Sequence, residues 1–447
     1  MNLDTLKKIK EPIFFVANDV SRGIGLENVL PNYHIVCLDD HPLIDSLEKS
    51  GVSVFSLERE LREKNKIPRN SGVILNHPLV LRFIKERGEK PNIIFFKPQK
   101  RIETVAQRER FNLIGNSTEI NQFFEDKVSF FKFCLKNGIN VPEGEIANIS
   151  KINYKEAVLK YGNILVIQFG RGWAGNSTFF IKSEDEFMSL KKRFEGFRAR
   201  VGKYIDGITV LNNAVVFGEE VLVSKTALQI KPNSLLTSLE GGTGGRQWPS
   251  GIEEEQENEI KEITQKVGKL MVKSGYKGFF GLDFIIEEKT GKIFLSENNA
   301  RLTASSSFYT KLELSEKIMP FLGYHLLSFL PQFESDFAKD AEREISGSEI
   351  VVRNTESSPV LVENEFAPGI YNYSLQLKRS DYFLNTNNKD DFWLSTAARG
   401  RIVNPEIELF KLQTKEKVAD EKGNINKKFS LIISEIKNNL KTKKCDN

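Results

Sequence analysis

Residues 281–301 (Gly-Leu-Asp-Phe-Ile-Ile-Glu-Glu-Lys-Thr-Gly-Lys-Ile-Phe-Leu-Ser-Glu-Asn-Asn-Ala-Arg) constrain this chain more than any other stretch. Two apolar runs, 282–286 and 293–295, flank a turn-like Glu-Lys-Thr-Gly and predict a β-hairpin. Asp283 lies on the first strand, and Glu297, Asn299 and Arg301 lie just past the second. If the strands pair across the turn, Asp283 and Glu297 reach the same end of the hairpin. Glu297, Asn299 and Arg301 are two apart, so extended backbone places them on one face. Two carboxylates and an amide oxygen suit a hard divalent cation, Mg2+ with Mn2+ as an allowed substitute, that keeps room for phosphate oxygens and water. A neighbouring arginine would hold an anion. Asp283 alone would read as part of a solvated edge. The alternation of acid, amide and base directly after an apolar strand favours the metal.

The 447 residues are too many for one simple core and imply two to four domains. With 40% hydrophobic and 28% charged residues the composition is that of an ordinary globular protein. No apolar run approaches a membrane span, and Met-Asn-Leu-Asp-Thr-Leu-Lys-Lys lacks the apolar centre of a signal peptide. Cys37, Cys134 and Cys445 show no paired spacing, so neither a disulfide framework nor a zinc site is expected, and a cytoplasmic setting fits best. A net charge of +4, with both signs interleaved, argues against a nucleic-acid partner. The lysine-rich stretch 437–444 reads as a solvated helix end and frayed tail.

Residues 1–115 alternate buried strands with helical stretches. Strands are expected at 12–17, 34–38, 52–55, 72–75 and 92–96, the pattern of a parallel sheet covered by helices. The first strand-to-helix turn has no glycine fingerprint, so this is a Rossmann-like layer without a clear dinucleotide site. Helical spacing of Phe124, Val128, Phe131 and Leu135 predicts a helix over 121–137 that ends at Gly138. Residues 150–205 read as a small α+β unit, and 205–300 as strands plus a helix at 253–274. The charged stretch 333–346 reads as a boundary. Strands are expected at 348–353, around 371–378 and at 401–412, and a final helix at 427–440.

Gly170-Arg171-Gly172-Trp173-Ala174-Gly175 follows a strand at 164–169 and fits G-x-G-x-x-G. A dinucleotide loop needs a helix next, because its N-terminus binds the pyrophosphate. Here Asn-Ser-Thr-Phe-Phe-Ile follows, which favours a strand. The loop therefore caps a hairpin, either as a flap whose N–H groups fold over phosphates or as a turn without a ligand.

A phosphate flap on a small unit, a hinge, then an acid hairpin ending in Glu-x-Asn-x-Arg resembles the ATP-grasp superfamily. The resemblance is specific over about 112–310. It implies an α/β and α+β chain: an N-terminal Rossmann-like parallel-sheet domain (1–115), an ATP-grasp domain (116–335, lid 150–205) and a small C-terminal mixed domain (345–447). Asp126-Lys127 resembles the family's pair ahead of a Gly-Ile-x-Val-Pro turn, here residues 138–142, so Lys127 would reach the nucleotide phosphates; a solvated first-turn pair is the other reading. Gly170, Arg171, Gly172 and Gly175 match the flap. Lys203, Tyr204 and Ile205 resemble the hinge strand beside adenine, although Tyr204 and Ile205 read equally well as core. Asp283, Glu297 and Asn299 match the Mg2+ ligands, and Arg301 the residue that steadies the transferred phosphate. Two departures stand out. Gln168 occupies the place of a phosphate-binding lysine, and Gly202 and Thr209 replace the acids flanking the hinge, leaving Asn212 as a candidate for the ribose.

The activity so implied is ATP-dependent ligation. A carboxylate attacks the γ-phosphate to give an acyl-phosphate, and an amine displaces phosphate. The alternatives are carboxylase-like or kinase-like chemistry, or a nucleotide-binding regulator with weakened catalysis. Phosphoryl transfer rests on positioning and charge neutralisation, which suits a chain with four histidines at unrelated spacings. Expected partners are small carboxylates and amines, amino acids or peptides, with a homodimer left open. The stretch 240–249 is too glycine-dense for a strand. It reads either as a mobile loop whose Arg246, beside Trp248, clamps a carboxylate, or as a plain surface loop. Residues 303–307 offer hydroxyls to the same cavity or cap a helix.

Overall fold

The computed structural model describes residues 2–173, 176–333, 343–386 and 388–445. The N-terminal sheet comprises β1 (Ile13–Ala17), β2 (Tyr33–Cys37), β3 (Ser53–Ser56), β4 (Asn92–Phe95) and β5 (Asn112–Ile114), all parallel, in the order β3-β2-β1-β4-β5. Every residue of β1 is buried, as expected of a strand covered on both faces. One expectation fails here. Residues 72–75 are not a strand but part of the helix Ser71–Leu75, because the Asn70 side chain accepts hydrogen bonds from the N–H groups of Gly72 (2.9 Å) and Val73 (3.1 Å). A short apolar run carries no period of its own, and the cap decided it. β5 takes the fifth place in the sheet instead.

The expected helix over 121–137 is two helices, Thr118–Glu125 and Lys127–Lys136. Asp126 interrupts them with extended backbone (φ −67°, ψ 113°), and its carboxylate accepts from Ser129 N at 2.8 Å, capping the second. The break leaves Glu125 at the end of one helix and Lys127 at the start of the next.

A second, antiparallel sheet holds β6 (Gly144–Asn148), β7 (Leu165–Trp173), β8 (Asn176–Ile181) and β9 (Arg198–Lys203) in the order β6-β9-β7-β8. β7 and β8 form the expected hairpin, with a strand rather than a helix after the glycines. Gly175 lies outside the described residues, as do the side chains of Arg171 and Trp173. Gly170 packs so closely on Asp126 that a Cβ there would collide with its carboxylate.

The largest sheet starts with β10 (Gly207–Phe217), β11 (Glu220–Val223), β12 (Ala227–Ile230), β13 (Gly245–Trp248), β14 (Gly278–Glu287), β15 (Ile293–Asn299) and β16 (Gly347–Arg353). Its order is β15-β14-β10-β12-β13-β16, continuing through Glu408–Thr414, Asp391–Thr396, Gly369–Asn372 and Leu377–Ser380, with β11 paired to β10. The helix Glu254–Val272 covers one face, where Val267 and Met271 meet Val210, Leu282 and Phe284 in a shared core. The helix Lys427–Leu440 lies as expected, but the tail does not fray: Thr442–Lys444 pairs with Val360–Val362.

β13 overturns the reading of 240–249 as a loop throughout. Gly245 adopts φ +135°, and a Cβ there would strike the Glu349 carbonyl oxygen, so the glycine permits close backbone approach rather than mobility. Gly245→Ala is expected to cost about 2 kcal/mol or more through strain and lost β13–β16 pairing. Chemical denaturation against wild type measures this, and an unchanged midpoint would contradict it.

Candidate active site

The acid hairpin forms with the pairing that the site requires. β14 and β15 are antiparallel with Asp283 directly opposite Glu297 and Gly281 opposite Asn299. A bulge follows Asp283, since Phe284 pairs with Leu295 and leaves Ser296 extra. β15 runs on through Asn299, so Glu297 and Asn299 sit on the strand rather than past it. Alternation sends Leu282, Phe284 and Ile286 into the core under Glu254–Val272 and turns Asp283 to the opposite face. Asn299 Nδ2 lies 3.4 Å from Asp283 Oδ2, and Asn299 Oδ1 accepts from Arg301 Nη2 at 3.1 Å.

Three cations surround the acids. Lys127 Nζ forms an ion pair with Glu297 Oε2, a contact that its place in the first helical turn after Asp126 allows. Arg301 Nε is 2.7 Å from Glu125 Oε1, and Lys97 binds the other Glu125 oxygen at 2.8 Å. Arg246 Nη1 donates to Ser305 Oγ at 2.6 Å. Arg246 therefore lies on a strand and not in a loop, while Trp248 is buried against Tyr309 and Phe308.

Electrostatics separate the two acids. Burial and the facing Glu297 charge push the Asp283 carboxyl up, only partly offset by Arg246, Lys127 and Arg301. Burial acts in the same direction on Glu297, but the charge and hydrogen bond of Lys127, together with the charges of Arg301 and Lys97, outweigh it and hold Glu297 below the usual range. Two facing carboxylates and one amide, with an elevated acid among them, fit a divalent cation, whose charge would remove the repulsion.

The remaining expected residues are placed as follows. Gln168 is buried, donating to Thr178 Oγ1 at 3.3 Å and accepting from Arg200 Nη1 at 2.7 Å. Gly170 and Gly172 lie on β7. The hinge is not a continuous strand: Lys203 ends β9, Gly207 begins β10, and residues 204–206 connect them. Lys203 is exposed with Nζ 3.8 Å from Glu287, Tyr204 is half-buried edge-on to Phe180, and Ile205 is buried. Asn212 is unsuited to a ribose, since its side chain donates to Thr264 of the covering helix at 2.7 Å. Of the hydroxyls at 303–307, Ser305 meets Arg246 and Thr303 donates to Asn213 Oδ1 at 3.0 Å. The histidines serve structure: His77 caps the helix Pro78–Lys85, and His325 accepts from Phe279 N.

Sequence reasoning missed Arg22, Glu125 and Arg200. Arg22 follows β1 at the carboxyl edge of the parallel sheet. Its guanidinium carbon lies 4.8 Å from the Phe96 ring centroid, and Nη1 donates to Ala304 O at 2.7 Å. Arg301 lies over the same ring at 5.1 Å. Strand order reverses between β1 and β4, where the crevice of an open parallel sheet opens. Only the position of Arg22 after the first strand could have signalled it.

Because the Asp283 carboxyl is pushed up, the cation-free protein is expected to lose stability as pH rises from the ordinary carboxylate range toward neutrality. The folded state then releases a proton that it holds more tightly than the unfolded chain does. Mg2+ should therefore raise the melting temperature more at about pH 8 than at about pH 5, and Asp283→Asn should remove that difference. Equal Mg2+ effects in the two proteins would contradict it.

No family model matches the chain. The carbamoyl phosphate synthase large chain of Thermoanaerobacter pseudethanolicus is 25% identical over 209 residues, covering 46% of this chain and 19% of that one. The chain thus spans about a fifth of that relative's length. The [butirosin acyl-carrier protein]–L-glutamate ligase of Niallia circulans is 23% identical over 303 residues, covering 66% of this chain and 67% of that one. Among solved structures, the biotin carboxylase domain of Hydrogenobacter thermophilus 2-oxoglutarate carboxylase, in complex with MgADP and bicarbonate, matches with a TM-score of 0.59 at 14% identity. That match covers 91% of this chain and 86% of that one. This chain has the ATP-grasp fold, with a parallel five-stranded sheet in its N-terminal part.

Proposed function

We propose that the chain is an ATP-dependent carboxylate–amine ligase that forms an amide or peptide bond through an acyl-phosphate, releasing ADP and phosphate. The observation that carries this reading is the direct pairing of Asp283 with Glu297, ringed by Lys127, Arg246 and Arg301. A binding module has little use for such a set. Magnesium held by Asp283, Glu297 and Asn299 would neutralise the β- and γ-phosphate oxygens. Lys127 is poised to exchange Glu297 for a phosphate, and Arg301, steadied by Glu125, to hold the transferred group. Tyr204 and Ile205, with Lys203, would flank the adenine, and the β7–β8 hairpin would exclude water over the phosphates. Arg246, which meets Ser305, and Arg22, which meets Phe96 and Ala304, would take the anionic acceptor.

The same reading divides the chain at 1–115, 116–335 and 345–447, the last part contributing strands to the sheet of the second. The ligase reading is favoured over a carboxylase because the similar glutamate ligase aligns over two-thirds of both chains. Amino acids or peptides are the proposed substrates, and among the described residues no helix is long and apolar enough to cross a membrane.

Phosphate release from MgATP across a panel of amino acids and dipeptides tests the proposal. ADP formation is expected to need both a carboxylate and an amine, whereas binding without turnover would indicate a regulator and bicarbonate-dependent turnover a carboxylase. Glu297→Gln should lower turnover about 100-fold or more. Unchanged activity in that variant would remove the metal reading.

A further inference from the structure

Arg200, on β9, is directly opposite Gln168 on β7 and is only 5% exposed. Its partners are all neutral. Nη1 donates to Gln168 Oε1 and Nη2 to the Pro142 carbonyl oxygen, each at 2.7 Å, and the guanidinium carbon lies 4.4 Å from the Phe131 ring centroid. Nε is buried without a hydrogen-bond partner. No described carboxylate lies within ion-pairing distance of it, and burial pulls its pKa down to about 10. A guanidinium taken out of water without an opposing charge is expensive, and a fold tolerates it where an anion arrives to complete it. Arg200 also lines a cleft with Lys127, Glu125, Ser296 and Glu297, so it borders the acid site rather than a separate core.

We infer that Arg200 binds the polyphosphate of the nucleotide, supplying from β9 the positive charge that Gln168 does not supply from β7. Gln168 positions it: the amide oxygen accepts one guanidinium edge, whereas a lysine at 168 would place two cations against each other. Nε is held beside Gly144 with no partner, so the charge of the planar fork stands uncompensated at the wall of the cleft. This assignment rests on the nucleotide reading above and adds a residue and a charge exchange between neighbouring strands.

Calorimetric titration of wild type and Arg200→Gln with ADP and with adenosine, each in the presence of Mg2+, tests it. Arg200→Gln is expected to weaken ADP binding about 10- to 100-fold and to leave adenosine binding unchanged. The double variant Gln168→Lys/Arg200→Gln, with the charge moved back to β7, should recover ADP affinity. Unaltered ADP binding by Arg200→Gln, equal loss of ADP and adenosine, or no recovery in the double variant would overturn the assignment. Should Arg200→Gln fail to fold, the double variant and Arg200→Lys decide it by the same ADP-to-adenosine ratio. Wild-type protein that binds neither ligand would instead remove the nucleotide reading itself.

Discussion

Two carboxylates held face to face by backbone register are the constraint around which the rest of this molecule is arranged. Like charges directly across a strand pair destabilise a sheet. The pairing of Asp283 with Glu297 therefore depends on β14 being fixed along its length, by β10 on one edge and β15 on the other. It also depends on cations delivered from three separate places: a helix start (Lys127), the more distant strand β13 of the same sheet (Arg246) and the turn after β15 (Arg301). Each is itself held, by Glu297, Ser305 and Glu125 respectively.

What was legible in the sequence was local. The acid hairpin showed itself through two apolar runs around a glycine turn, and the β7–β8 hairpin through the β-branched and aromatic residues after its glycines. The final helix appeared at its boundaries because caps and period agreed. What was not legible depended on distant partners. Residues 245–248 carry no strand signal of their own and become one because β12 and β16 lie on either side. The helix break at 126 and the helix at 71–75 turned on single capping side chains, which outvoted an apolar pattern. Arg200 sits in an unremarkable strand, and nothing in its neighbours announces that it faces Gln168. Arg22 gains meaning only once Phe96 and Ala304 are beside it.

The parallel sheet is tied to the site through one aromatic ring. Phe96, just past β4, carries Arg22 and Arg301 over its ring, so one guanidinium from the segment after β1 and one from the turn after β15 share a surface. On the helix that follows β5, Asn121 donates to the Ala300 carbonyl at 2.9 Å and fixes the end of the acid hairpin. The crevice at the switch point of one sheet and the acids of another thus meet along a common wall.

The absent side chain at Gly170 has a mechanical meaning. Because the backbone there rests on Asp126, the residue that caps the Lys127 helix, the β7–β8 strand pair settles against a fixed stop. The depth of that stop is set by the smallest residue available. One added methyl group would either push the Asp126 carboxylate off its cap or hold the hairpin away from the helix start, and the separation between the two walls of the cleft would then be set by a collision rather than by whatever lies between them.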